Sequence, residues 1–123
     1  MKKKILIVDD EEVILKILRL RLSKLGYEVR EATDGEQAIE QLENGDFGLV
    51  ILDILMPKKD GWQVLREVKS NPRTKNIPVI ILTAKDEDID MSKGYSLGAD
   101  YYMTKPFTMA QLLWGLQLVF EEL

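Results

Sequence analysis

Apolar residues along the chain fall into two alternating patterns. Five short runs, at residues 5–8, 27–32, 47–52, 77–82 and 99–103, have the length and the Val, Ile and Tyr content of strands. The third run and most of the fourth (79–82) carry no polar residue, as in strands covered on both faces of a parallel sheet. Between and after these runs, apolar residues recur every three or four positions over 11–25, 34–43, 61–70, 86–97 and 109–122, which predicts helices. Thr33 with Glu36, and Thr108 with Gln111, have capping-box spacing. Gly26, Gly45 and Gly98 stand where helices should stop, and Pro57, Pro72, Pro78 and Pro106 fall between elements.

The order is strand then helix, five times over. It predicts an α/β fold: a five-stranded parallel sheet with helices on both faces and right-handed crossovers. Ligands of such sheets sit beyond the carboxyl ends of the strands. Functional residues are therefore expected just after the first, third, fourth and fifth strands. Asp9 and Asp10, followed by Glu11, come after the first. Asp53 follows the third, Thr83 the fourth, and Lys105 with Pro106 the fifth.

Composition narrows the choice. A chain of 123 residues, 46% apolar and 31% charged, is long enough for one packed core without disulfides or metal staples. Its apolar runs of about six residues fall well below the ~18 needed to span a bilayer, and residues 2–4 are not followed by the apolar stretch of a signal peptide. No membrane association is expected, and a cytoplasmic location is. Cysteine and histidine are absent, which excludes thiolate nucleophiles, zinc–thiolate sites, Ser-His-Asp catalysis and a phosphohistidine on this chain. With 17 basic against 21 acidic residues the net charge is −4, which argues against direct binding of nucleic acid.

Taken singly, each strand-end residue has an ordinary explanation: a helix cap for the Asp pair, a turn for Asp53, a cap or turn hydroxyl for Thr83, a solvated ammonium for Lys105. Together they do not. Three carboxylates gathered within a few ångströms repel one another and need a cation to stay ionised at neutral pH. Oxygen ligands without His or Cys select a hard cation, Mg²⁺ before Ca²⁺. A carboxylate beside Mg²⁺ can attack phosphorus and form an acyl phosphate, and the Lys105 ammonium and Thr83 hydroxyl are suited to stabilise the transferred group.

At these residues the sequence resembles the receiver domain of bacterial two-component response regulators, with chemotaxis receivers among the similar proteins. The resemblance spans 1–123 and rests on Ile7-Val8-Asp9-Asp10-Glu11, Asp53-Ile54-Leu55-Met56-Pro57 with Asp60-Gly61, Leu82-Thr83-Ala84, and Gly98-Ala99-Asp100-Tyr101-Tyr102 with Lys105-Pro106-Phe107. It implies a flavodoxin-like (βα)5 sandwich of strand order 2-1-3-4-5 and one receiver domain, a signalling module rather than an enzyme. It further implies that Asp53 accepts a phosphoryl group from a sensor histidine kinase or a His-containing phosphotransfer protein. Asp9, Asp10, Asp53 and the main-chain carbonyl of Leu55 would ligate Mg²⁺. Lys105, joined to Pro106 by a cis peptide, would pair with a phosphoryl oxygen. Thr83 and Tyr102 would form the switch, the hydroxyl moving to the phosphate and the ring turning inward behind it. Leu55 and Lys85 stand at the positions that set dephosphorylation speed, and neither can orient an attacking water, which predicts a long-lived phosphoryl state.

The helix faces point to partners. On a helical wheel Met109, Leu112, Leu113, Leu116, Val119, Phe120 and Leu123 form a core arc, with Trp114 and Leu118 opposite them. Receivers of the winged-helix transcription-factor subfamily carry an Asp where Tyr101 stands and an Arg where Gly115 stands. This chain departs from them at both, so a homodimer through the fourth helix, fifth strand and fifth helix would rest on Trp114 and Leu118 instead of salt bridges. The apolar arc of the first helix is wider than a core stripe, and Ile14 and Ile17, with the loop at Pro106, are candidates for the kinase contact. The fourth helix, with few large apolar residues and Gly94 inside it, is the most weakly anchored.

Two other readings compete. A degenerate receiver would act as a phosphorylation-independent interaction module, but such chains tend to lose the acids or the lysine that are present here. A Mg²⁺-dependent phosphatase with an Asp nucleophile usually has a second acid where Leu55 stands and carries a cap domain. A nucleotide or flavin carrier would need a Gly-rich loop after the first strand, where acids stand instead. The chain fits either a free-standing relay or an N-terminal domain followed by an effector.

Overall fold

The computed structural model describes residues 3–56, 59–84 and 91–120, with nothing described of the Met91 side chain. Strands β1 (Lys4–Val8), β2 (Glu28–Ala32), β3 (Leu49–Asp53), β4 (Val79–Ala84) and β5 (Tyr101–Lys105) alternate with helices α1 (Glu12–Lys24), α2 (Gly35–Asn44), α3 (Gly61–Ser70), α4 (Met91–Ser96) and α5 (Met109–Phe120). All strand pairs are parallel, in the order β2-β1-β3-β4-β5. This is the parallel α/β sheet that the strand–helix alternation predicts, in the flavodoxin-like strand order that the resemblance implies.

Alternate residues of the buried strands face two separate cores. Leu6, Val8, Val50, Leu52, Val79 and Ile81 pack against α2 and α3. Ile5, Ile7, Leu49, Ile51, Ile80 and Leu82 pack against α1 and α5. Strands β1, β3 and β4 are covered on both sides, which is why they read as unbroken apolar runs.

The last three strands continue past their apolar cores. Asp53 pairs with Leu82, Thr83 with Thr104, and Ala84 with Lys105. Asp53, Thr83 and Lys105 are thus strand residues and not the first residues of loops. Main-chain pairing does not require an apolar side chain, so the ladder runs on where hydrophobicity stops.

The helices differ from expectation in four places. The N-cap of α2 is Asp34, one residue later than Thr33. The Asp34 carboxylate accepts from the Gln37 N–H at 2.9 Å, and the Gln37 side chain accepts from the Thr33 N–H, so the Thr33–Glu36 box does not form. The Thr108–Gln111 box does form. A box at Asp60 and Gln63 starts α3. On α5 Leu112, Gly115 and Leu116 are buried, with Met109, Val119 and Phe120 packed against the same core and the Tyr101 ring lying over Gly115. Leu113, at 42% exposure, stands outside the arc assigned to it. Leu123 lies outside the described residues. On α1 only Leu15, Leu18 and Leu22 are buried, because α1 shares its side of the sheet with α5 and one stripe suffices. The described part of α4 is six residues long, and residues 86–90 of the expected helix lie outside the described residues.

Candidate functional site

The carboxyl ends of β1, β3 and β5 bring their polar residues to one place. Asp9 follows β1 and is shielded from solvent, Asp10 beside it is exposed, and Asp53 ends β3 in a buried position. One carboxylate oxygen from each lies within 4.8 Å of the other two. Lys105, the last residue of β5, reaches across the edge of the sheet. Its Nζ is 2.8 Å from Asp9 Oδ2, 2.5 Å from Glu11 Oε2 and 3.4 Å from Asp53 Oδ2.

Main-chain donors fix the two buried acids. The Glu11 N–H donates to Asp9 Oδ1 at 2.9 Å, and the Leu55 N–H donates to Asp53 Oδ1 at 3.2 Å. Gly61 closes the loop after β3: its N–H donates to the Ile54 carbonyl at 2.9 Å. A Cβ on Gly61 would fall 2.5 Å from both the Asp53 carbonyl oxygen and the Ile54 Cα, so no other residue fits without moving the backbone that carries Asp53 and Leu55.

The electrostatics are those of an acid cluster short of positive charge. Burial, then repulsion from Asp9, pushes Asp53 up to about 7 against the pull of Lys105 and the Leu55 N–H. Burial raises Asp9 as well, with Lys105 and the Glu11 N–H pulling the other way. Burial alone would lower Lys105, but its close contacts with Asp9 and Glu11 and the charges of Asp9 and Asp53 leave it raised. Asp9 Oδ2 is buried and, although Lys105 lies close, has no hydrogen-bond partner of good geometry among the described residues. Three carboxylates this close, with one ammonium among them, are suited to a hard divalent cation. The donor set therefore fits Mg²⁺.

Thr83 and Tyr102 share one face of the sheet. Ile81 is the register partner of Tyr102, and Thr83, two residues on, points the same way. Thr83 is buried next to the strand end that carries Asp53. Tyr102 is 8% exposed and belongs to the core on the α2–α3 side, so its ring points inward. The Lys105–Pro106 peptide is cis.

Of the candidate partner residues, Pro106 adjoins Lys105 of this cluster, and the others lie on α1 and α5. Trp114 and Leu118 are 56% and 47% exposed on the outer face of α5. Ile14 and Ile17 on α1 are half-buried, and Pro106 is exposed. Lys85 and Pro57 lie outside the described residues. Sequence reading gave Glu11 no role beyond following the acid pair, yet its carboxylate holds Lys105, and only the fold shows that the fifth strand returns to that point.

Comparison with known proteins agrees with this arrangement. The sequence profile described as "Response regulator receiver domain" matches residues 5–117. The chain is 45% identical over 108 residues to the alkaline phosphatase synthesis transcriptional regulatory protein PhoP of Bacillus subtilis, covering 88% of this chain and 44% of that protein. It thus spans less than half the length of that relative. Among solved structures, a protein of Chloroflexus aurantiacus described as a response regulator superposes with a TM-score of 0.92 at 33% identity, over 99% of this chain and 100% of that one. The Vibrio cholerae chemotaxis protein CheY4 gives 0.89 at 30% identity, over 97% and 99%. The chain belongs to the response regulator receiver domain family, modules of two-component signalling whose partners are histidine kinases. It is a signalling module rather than a catalytic enzyme. No described helix is long and apolar enough to cross a membrane.

Proposed function

We propose that the chain, residues 1–123, is one receiver domain that works in the cytoplasm as a phosphoryl-accepting switch with Asp53 as the acceptor. The observation that carries this reading is the meeting of Asp9, Asp10, Asp53 and Lys105 at one edge of the sheet. An Asp53 carboxylate oxygen bonds to phosphorus as the phosphorus–nitrogen bond of a partner's phosphohistidine breaks, and the imidazole leaves with the electron pair. Asp53 needs no general base, because its ionised form is the nucleophile. Lys105, within 3.4 Å of Asp53, can follow the charge onto a phosphoryl oxygen. Asp9, Asp10, Asp53 and the Leu55 carbonyl would hold Mg²⁺, which supplies charge neutralisation for the incoming anion when bound.

Thr83 would donate its hydroxyl to the phosphoryl group, and Tyr102, on the same sheet face, would pass the change to the surface of α4, β5 and α5. Ile14, Ile17 and Pro106 would meet the kinase or phosphotransfer protein. Trp114 and Leu118 would form an apolar contact with an effector or a second copy of the chain.

The test is incubation with Mg²⁺ and acetyl phosphate followed by intact mass. One added phosphoryl group in the parent, absent in Asp53→Asn and absent with EDTA, supports the reading. No gain in the parent, or equal gain in Asp53→Asn, refutes it and leaves the phosphorylation-independent module.

A further inference from the structure

We propose that Gly94 is a positioning residue for the Tyr102 switch: the bare Cα of α4 is the seat that lets the Tyr102 ring lie inward. A Cβ built on Gly94 would fall 1.4 Å from the Tyr102 hydroxyl oxygen and 2.6 Å from its Cζ. The ring thus occupies the volume in which any other side chain at position 94 would begin. Gly94 is itself buried, and Tyr102 is nearly so.

Neighbouring rings close this seat on two sides. Tyr95 meets Tyr102 edge-on, with ring centroids 4.9 Å apart. Trp62 of α3 reaches within 3.2 Å of the same Cβ point, and Lys93 Nζ stands 5.1 Å from the Trp62 ring centroid. Lys93 of α4 thus lies over the Trp62 ring of α3, while the Tyr102 ring fills the space beneath Gly94. A side chain at 94 and an inward ring at 102 exclude each other unless α4 moves away.

The steric part stands on geometry alone; its meaning for signalling rests on the relay reading above. A side chain at 94 would push the ring out while leaving Asp53, Lys105 and the acid pair untouched.

Ordinary helix propensity favours Ala over Gly inside a helix, which makes the sign of the effect diagnostic. Urea unfolding is measured for Gly94→Ala in two backgrounds, the parent and Tyr102→Ala. Gly94→Ala should destabilise the parent and stabilise Tyr102→Ala, with Tyr102→Phe between them because its Cζ still crowds the new methyl. In the folded variant, N-acetylimidazole followed by peptide mass mapping should modify Tyr102 several-fold faster than in the parent. Phosphoryl gain from acetyl phosphate should be unchanged. An effect of the same sign and size in both backgrounds, or a Tyr102 that stays protected in Gly94→Ala, overturns the inference. Failure of the parent to take up phosphate would overturn the functional reading instead and leave the Gly94–Tyr102 seat standing.

Discussion

Lys105 Nζ stands 2.8 Å from Asp9 Oδ2 and 3.4 Å from Asp53 Oδ2, so one ammonium at the end of β5 is shared between the acids at the ends of β1 and β3. With Glu11 also on Lys105, a single positive charge serves more acid than it can neutralise. The consequence is a site that is costly to keep ionised without a further cation, and the first prediction follows from that cost.

In metal-free protein, Asp53 titrates near 7 when folded, against an ordinary carboxylate value of 3.8 when unfolded. Between about pH 4 and pH 7 the folded state keeps a proton that the unfolded chain has lost, so stability falls as pH rises through that window. Below it both states are protonated, and above it neither is. Asp9, also raised, acts in the same direction. Relative to Asp53→Asn, the parent in EDTA should lose stability from pH 5 to pH 7, by at most ~1.4 kcal/mol per pH unit. Urea unfolding of both proteins across that range checks this. A parent that gains on the variant as pH rises contradicts it.

Gly61 ties the fold to the site. A methyl there would press on the Asp53 carbonyl and the Ile54 Cα, both backbone atoms that cannot swing aside. Gly61→Ala should cost about 1–3 kcal/mol, the usual range for overpacking. It should also weaken Mg²⁺ binding at least several-fold, read by isothermal titration. Full Mg²⁺ affinity in the variant would show that the loop after β3 does not depend on this contact.

Much of this is legible in the sequence. The unbroken runs at 47–52 and 79–82 announced strands buried on both faces, and strand–helix alternation with the strand-end rule put Asp9, Asp53, Thr83 and Lys105 on one edge of the sheet. Strand ends were misplaced by one or two residues because the pairing of Asp53 with Leu82 and of Ala84 with Lys105 is a main-chain matter that hydropathy does not register. Leu113 was drawn into the α5 core because a wheel cannot show that the facing strand offers the Tyr101 ring opposite Gly115. The link from Glu11 to Lys105 joins residues 94 positions apart and is visible only after folding.

Leu55 is exposed two residues after Asp53 and carries no group to orient a water. The phosphorylated parent should lose its phosphoryl group more slowly than Leu55→Asn, by a few-fold or more, when both are followed by intact mass after removal of the donor. Equal or faster loss from the parent contradicts the assigned role of this position.

Trp114 and Leu118 present one apolar strip four residues apart on the outer face of α5. Trp114→Ala should leave folding within about 0.5 kcal/mol of the parent, as expected for an exposed position, and should reduce self-association on phosphorylation. Sedimentation velocity with and without acetyl phosphate reads this. An unchanged profile together with unchanged effector binding would remove the strip as an interface.

The central claim is that one carboxylate, Asp53, receives the phosphoryl group. Borohydride reduction of the acetyl-phosphate-treated protein turns an acyl phosphate of aspartate into homoserine, and peptide mass mapping locates it. Homoserine is expected at position 53 and at neither Asp9 nor Asp10. Homoserine at another acid, or none at all in protein that has gained phosphate, would contradict it.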